Sequence, residues 1–287
     1  MNLTERDKAH LWHPLTQHKL KPNHLPILRA KGSTLYDDQG KDYIDGIASW
    51  YTCMYGHCNE YITSKIKAQL DELDQVVFSG FTHQPAIELS EKLMAILPSN
   101  QNKLFFSDNG STSVDVAIKM AFQYFFNKKE KRTRIIALED AFHGDTFGAM
   151  SLGAPSSFNA PFQDMLFEVE FLPNPQDEQA CLAAMSAVNE EEYAAFIFEP
   201  LIQGAGGMKM YEASTLDALI REAHKKGILC IADEIMTGFG RTGKWFAMDY
   251  LEEKLDIVCF SKGLTGGMMA MGLTLLATGQ AAQLMSS

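Results

Sequence analysis

Over the first fifty residues the apolar positions come in short runs broken by turn residues. Ile27–Ala30, Thr34–Tyr36 and Tyr43–Ile47 read as strands, with Gly32 and the cluster Asp37-Asp38-Gln39-Gly40 as the turns between them. This predicts a small antiparallel meander. From about Tyr61 the spacing changes, and Ile62, Ile66, Leu70 and Leu73 recur at helical intervals. A second helix starts after Pro85, carries Leu89, Leu93 and Leu97 on one face, and stops at Pro98. Strands and helices then alternate. The expected strands are Lys103–Ser107, Arg134–Leu138, Ala195–Phe198, Ile228–Ala232 and Asp256–Phe260. Val114–Phe126 and Ser214–Lys226 are the expected helices, the second with Ser214 as its N-cap and Gly227 past its end. Ile228–Ala232 and Asp256–Phe260 are nearly continuous apolar runs, the pattern of a sheet covered by helices on both faces. The expected fold class is therefore α/β, a mostly parallel sheet flanked by helices, preceded by the meander. Met271–Thr278 reads as one more strand, Gly279 as a break and Gln280–Met285 as the start of a helix. A stop so soon after a helix begins leads to the expectation of a longer natural chain.

The predicted strands share one property. They end in polar residues: Ser107-Asp108-Asn109, Glu139-Asp140, Glu199, Asp233-Glu234 and Ser261-Lys262. In open α/β sheets the ligand crevice lies outside the carboxyl ends of the strands, although strands also end in polar loops for no functional reason. Composition narrows the choice of ligand. The chain is 46% hydrophobic and 21% charged, an ordinary globular balance, with a formal charge of −11. An acidic chain with no basic stretch argues against nucleic acid as a partner. It leaves phosphate open, because backbone N–H groups bind phosphate without net positive charge. Five scattered cysteines, at 53, 58, 181, 230 and 259, suit a reducing, cytoplasmic compartment. Cys53 and Cys58 bracket His57, but no second ligand pair follows at zinc spacing, so no metal is expected. The first residues lack the apolar core of a signal peptide. The longest apolar stretch, Met268–Ala277, is half of the ~20 residues a membrane span needs.

The candidate chemistry sits at those strand ends. Lys262 directly follows the apolar run Asp256–Phe260. Most lysines at strand ends are solvated, but desolvation by apolar walls would favour the free amine that attacks a carbonyl to form a Schiff base. Asp233 ends another apolar strand and needs a partner. The protonated pyridine nitrogen of pyridoxal 5'-phosphate is one; a cap on the next turn is the structural alternative. Asn109-Gly110-Ser111-Thr112 opens a predicted helix, serving as an N-cap, as a phosphate cup, or as both. Phe142 can stack on a flat ring, and Gly144 lets backbone come close. Gly238-Phe239-Gly240-Arg241-Thr242-Gly243 matches a dinucleotide fingerprint in letters, but no helical face follows it, so nicotinamide binding is not expected. Gly204-Ala205-Gly206-Gly207 reads as a turn.

The order phosphate cup, stacking aromatic, strand-end Asp, strand-end Lys resembles fold-type I pyridoxal-phosphate enzymes. IADEIMTGFGRTGKWFA (231–247) and SKGLTGG (261–267) are similar to the class III aminotransferases. LWHPLTQ (11–17), GIASWYT (46–52), FSGFTHQPAIEL (78–89), FHGDTFGAMS (142–151) and EPLIQGAGGM (199–208) resemble the biotin-synthesis branch of that class. The resemblance implies that Lys262 holds the cofactor and shuttles a proton, and that Asp233 pairs with the pyridine nitrogen. It implies that Gly110 and Ser111 hold the phosphate and Phe142 stacks on the ring. Trp50, Phe142, Asp145, Arg241 and Lys262 would contact substrate. The implied substrates are S-adenosylmethionine and 8-amino-7-oxononanoate, used in turn in a homodimer with no nucleic-acid or membrane partner. The implied layout is a first segment, 1–55, belonging to a smaller domain, and a larger cofactor domain, 56–287. Family members often carry tyrosine at the positions of Phe142 and Leu15, so substrate discrimination here can differ. They also continue beyond Ser287, adding a phosphate contact and an arginine for the substrate carboxylate. The alternatives are another class III transferase, acting on an ω-amino acid, ornithine or 4-aminobutyrate, and a catalytically silent, truncated chain.

Overall fold

The computed structural model describes residues 2–285. They divide into two compact units, Met1–Phe81 and Thr82–Ser287. The division implied by the resemblance, after residue 55, leaves the helix at 60–72 with the second domain; the compact units put it in the first.

The first unit contains α1 (Leu3–His10), the strands β1 (Ile27–Lys31), β2 (Thr34–Asp37) and β3 (Asp42–Ile44), a single left-handed turn labelled α2 (Ala48–Tyr51), and α3 (Glu60–Glu72). The three strands form the expected antiparallel meander in the order β1-β2-β3. Its second turn is built by Asp37, whose carboxylate accepts from the Gln39 and Lys41 N–H groups, both at 2.9 Å, and from the Tyr43 hydroxyl at 3.0 Å. The third strand stops at Ile44, three residues before the sequence pattern ends, because the Asp45 N–H turns back to the Ser33 carbonyl.

The second unit runs α4 (Gln84–Met94), β4 (Gln101–Ser107), α5 (Gly110–Asn127), β5 (Arg134–Leu138), α6 (Phe147–Ser151), β6 (Val169–Leu172), α7 (Glu178–Ala187) and β7 (Tyr193–Phe198). A small hairpin, β8 (Ile202–Gln203) and β9 (Lys209–Met210), precedes α8 (Ala213–Lys225), β10 (Leu229–Asp233), β11 (Ile257–Phe260), β12 (Gly272–Ala277) and α9 (Thr278–Met285). Among the described residues seven strands make one sheet in the order β4-β12-β11-β10-β7-β5-β6, with β12 antiparallel to both neighbours and the rest parallel to one another. Successive strand residues face opposite sides of this sheet. Ile136, Leu138, Phe196, Phe198, Cys230, Val258 and Phe260 pack with Leu216, Leu219 and Ile220 of α8 and Met185 of α7. Ile135, Ala137, Ile197, Leu229, Ile231 and Cys259 pack with Val114, Ile118 and Phe125 of α5. Both faces are covered, as the unbroken apolar runs required.

The start of α8 departs from its sequence signal, as do the end of α4, at Met94 rather than Leu97, and the start of α5, at Gly110 rather than Val114. Ser214 lies inside α8, and Glu212 occupies the cap without a side-chain hydrogen bond. The chain is fixed just before it, where the Tyr211 N–H reaches the Leu201 carbonyl. Asp217 is occupied elsewhere, accepting from the Glu252 and Glu253 N–H groups at 3.0 Å each. Gly227 follows the helix with φ +66°, the left-handed stop that glycine adopts at low cost.

Candidate active site

Five parallel strands, β4, β5, β7, β10 and β11, bring their carboxyl ends to one edge of the sheet. Asp233, the last residue of β10, is 4% exposed. One of its oxygens accepts from the Ile235 N–H at 3.0 Å, and the other is 2.7 Å from Nδ1 of buried His143. With the carboxylate as acceptor, His143 donates through Nδ1. His143 Nε2 is buried without a hydrogen-bond partner among the described residues. An oriented, buried carboxylate of this kind suits a cationic ring nitrogen, the group that its charge still lacks.

Lys262 begins a short 3-10 turn just after β11 and is half-buried, with φ +40°. A left-handed lysine costs about 1–2 kcal/mol, a strain that the flanking turn has to hold. Burial pulls its pKa below the ordinary lysine value; the carboxylates of Asp233 and Glu199 oppose this, and the Arg241 guanidinium adds to it. The sequence expected the desolvation; the structure adds the charges that act on it.

The α5 start is built as a capping box: the Asn109 side chain accepts from the Thr112 N–H at 3.0 Å, and the Thr112 hydroxyl accepts from the Asn109 N–H at 2.9 Å. This consumes the third orphan donor of the helix, while helical geometry gives Gly110 and Ser111 no intrahelical acceptor for theirs. Gly110 sits tight against the neighbouring strand ends: a Cβ there would lie 3.0 Å from Ile235 and 3.4 Å from Ser261. Ser111 accepts the Asp145 N–H on its hydroxyl at 3.1 Å. Gly144 is required by this approach, since a Cβ on it would fall 2.2 Å from that hydroxyl oxygen. Two backbone donors, a hydroxyl and a helix dipole beside a half-buried lysine and a buried aspartate fit the phosphate, aldehyde and ring nitrogen of pyridoxal phosphate.

Phe142 precedes His143 and is 43% exposed, leaving ring surface available for stacking. Its N–H donates to Glu199 at 3.3 Å. Asp145 is exposed beside Ser111. Arg241 donates through Nε to the Met236 carbonyl at 2.8 Å. Gly240 and Gly243 around it have φ of +91° and +101°, so this glycine run is a turn rather than the opening of a crossover helix. The other glycine run, 204–207, makes the β8–β9 turn. Trp50 and Leu15 belong to the first unit. Trp50 rides on the left-handed turn α2, where four consecutive residues have φ between +48° and +68°. Asp45 clamps this turn, accepting from the Ser49 N–H, the Ser49 hydroxyl and His57 at 3.0, 2.7 and 2.8 Å. That bond draws His57 to a carboxylate.

The structure adds two groups to which sequence reasoning gave no role, His143 and Glu199. His143 lies inside the quoted motif, yet nothing local says that Nδ1 meets a carboxylate ninety residues on. Glu199 is 6% exposed; its pKa is pushed up to about 7, chiefly by burial, with His143 opposing, Asp233 adding, and the Gly204 and Phe142 N–H groups opposing. Glu234 is fully buried and likewise pushed up to about 7, first by burial and against its bonds to the Thr237 hydroxyl and the Met248 N–H. A buried carboxylic acid raised this far stabilises the fold below the unfolded value near 4.5, and the benefit is lost as pH rises through 7. Glu234→Gln mimics the protonated acid. Its stability relative to the parent should rise by on the order of 2–3 kcal/mol between pH 4.5 and pH 8, read by denaturant unfolding at both pH values. A pH-independent difference would show that the carboxyl titrates in the fold as it does in the unfolded chain.

Comparison with known proteins agrees with this geometry. The chain matches the family described as Aminotransferase class-III over residues 16–286. It is 46% identical over 276 residues to the adenosylmethionine-8-amino-7-oxononanoate aminotransferase of Synechococcus elongatus, covering 92% of this chain and 65% of that protein. The crystal structure of the protein of the same name from Methanocaldococcus jannaschii superimposes with a TM-score of 0.94 at 36% identity, covering 98% of this chain and 66% of that one. An amine transaminase from an uncultivated Pseudomonas species, solved in its PLP-bound form, gives 0.90 at 30% identity, over 95% of this chain and 66% of that one. The chain thus spans about two thirds of the length of these relatives. A match running through nearly the whole sequence, joined to a lysine, an aspartate and a helix start at one sheet edge, makes this chain a member of the class-III aminotransferases.

Proposed function

We propose that this chain carries the cofactor site of a pyridoxal 5'-phosphate aminotransferase of biotin synthesis. The enzyme moves an amino group from S-adenosylmethionine to 8-amino-7-oxononanoate, giving 7,8-diaminononanoate. One observation carries the reading: a lysine with a burial-depressed pKa and a buried Asp–His pair end adjacent strands of one sheet, in a chain whose relatives bear that activity in their name. In this reading residues 1–55 serve the smaller domain and 56–287 the cofactor domain.

Bound pyridoxal phosphate supplies a carbonyl that captures the amine and a ring that draws electrons from its Cα. Lys262 would hold the cofactor covalently and, when free, would take the proton from the substrate Cα; burial lowers its pKa, which favours the uncharged amine over the ammonium. Asp233, oriented by His143, would hold the ring nitrogen and favour its protonated form. The Gly110 and Ser111 N–H groups and the Ser111 hydroxyl hold the phosphate. Phe142 would stack on the ring, and Asp145 and Arg241 would meet the substrates. Two substrates sharing one site in turn give ping-pong kinetics. The proposal includes a homodimer, the arrangement implied by the family resemblance. It also includes the cytoplasm, which suits the free thiols of all five cysteines.

The amine transaminases that superimpose on the chain favour a second reading, transfer from an ω-amino acid, ornithine or 4-aminobutyrate. Assay of the whole gene product with each donor separates the two. Formation of 7,8-diaminononanoate from S-adenosylmethionine supports the first reading. Transfer from the ω-amino donors with none from S-adenosylmethionine overturns it.

A further inference from the structure

We propose that Asp7, His13 and His24 bind a first-row transition-metal dication, with zinc(II) the ion that their chemistry suits best. One ligand atom from each of the three lies within 4.8 Å of the other two. His13 Nε2 is 2.9 and 3.0 Å from the two Asp7 carboxylate oxygens. The His13 and His24 rings are 3.7 Å apart, tilted by 31°. His24 Nε2 is shielded from solvent and has no hydrogen-bond partner among the described residues. A buried polar atom left unsatisfied calls for an explanation, and an absent ion is one.

The sequence folds onto itself to make this cluster. Asn2 caps α1 in a reciprocal box with Glu5, and α1 presents Asp7. The chain then turns at Gln17, whose carbonyl accepts from the Leu20 and Lys21 N–H groups, and returns at His24, whose carbonyl accepts the Thr4 hydroxyl at 3.5 Å. His18 stands next to the cluster, its ring 6.0 and 5.9 Å from those of His13 and His24, with Nε2 accepting the His13 N–H at 3.0 Å. Two imidazoles and one carboxylate are a zinc-type set, too nitrogen-rich for calcium or magnesium. Zinc–ligand distances of about 2.0–2.2 Å place tetrahedral neighbours about 3.3–3.5 Å apart, so closing the site needs ligand shifts of roughly an ångström. The ion would take the place of the direct His13–Asp7 contact, and water or His18 would complete the shell. The bound ion would staple residues 7–24 and fix the segment that carries Trp12 and Leu15.

A second cluster, His224, Cys230 and Asp256, serves as the control. Asp256 there already accepts from His224, from the Cys230 N–H and from Gln280, and burial pushes the Cys230 thiol far up, against the thiolate that zinc takes.

The test is calorimetric titration of zinc chloride into the 287-residue chain and into the variants Asp7→Asn, His24→Gln and His224→Gln, with circular dichroism of each metal-free variant. The expected result is one ion per chain, with affinity falling about tenfold or more in Asp7→Asn and His24→Gln and unchanged in His224→Gln. Absence of zinc binding overturns the site, as does parental affinity in the first two variants or loss of binding in His224→Gln. A measurement on the parent chain alone keeps the proposal falsifiable if a variant misfolds. Zinc should slow tryptic cleavage after Lys8 and Lys19, reversibly with a chelator, and cleavage at an unchanged rate overturns the proposal.

Discussion

Replacing Lys262 by alanine is expected to leave the chain folded while abolishing covalent attachment of pyridoxal phosphate. Borohydride reduction followed by peptide mapping should mark Lys262 in the parent and no residue in the variant. Amine transfer by the whole gene product should fall by about 10²–10⁴-fold or more, the contribution of a positioned acid–base group, before the lost linkage is counted. The fold has little at stake here. Lys262 lies in a turn after β11, and its left-handed backbone is no easier for alanine, so the strain is unchanged. The proposed function has much at stake, because the substitution removes the amine whose pKa burial lowers. A label on another lysine would sink the assignment.

Asp233→Asn is expected to slow the donor half-reaction by about 10²–10³-fold with near-normal protein stability, measured in single turnover from the cofactor's absorbance. The amide keeps the size of the side chain and an oxygen for the Ile235 N–H. It loses the charge proposed to hold a proton on the ring nitrogen, and its remaining polar group no longer matches the donor at His143 Nδ1. A half-reaction at the parental rate would refute the role.

Much of this was legible from the chain itself, because the strands carrying the site are buried on both faces and so written as unbroken apolar runs. Arg134–Leu138 matches β5 residue for residue, and Asp256–Phe260 overlaps β11 to within one position. The elements that escaped have weaker signals. β6, Val-Glu-Phe-Leu, is short and lies at the sheet edge, where only one neighbour fixes it. α7 is rich in alanine, so its apolar face is faint, although Asp177 gave a usable cap, accepting the Ala180 N–H at 3.1 Å. Lys262 and Asp233 were readable as strand ends. His143 and Glu199 were not, since their meaning lies in what they face across the sheet edge rather than in their neighbours along the chain. The left-handed turn beneath Trp50 was also silent: Ala48, Ser49, Trp50 and Tyr51 are not residues that advertise positive φ. What holds them is Asp45, whose carboxylate accepts from the Ser49 N–H and hydroxyl four residues on.

The reversed strand β12 sets a timetable for synthesis. Among the described residues β4 pairs with β12 and with no other strand, so the strand leading into the Gly110-Ser111 helix start waits for a partner roughly 170 residues downstream, about 10–30 s at ribosomal rates of 5–20 residues per second. During that interval the β4 edge is unpaired, and its half-exposed Phe105 sits among open backbone donors and acceptors. The same arrival ends the wait for the lysine turn, which joins β11 directly to β12. The strand before the Gly110-Ser111 helix start and the strand before the Lys262 turn therefore gain β12 as a neighbour at the same late point in synthesis.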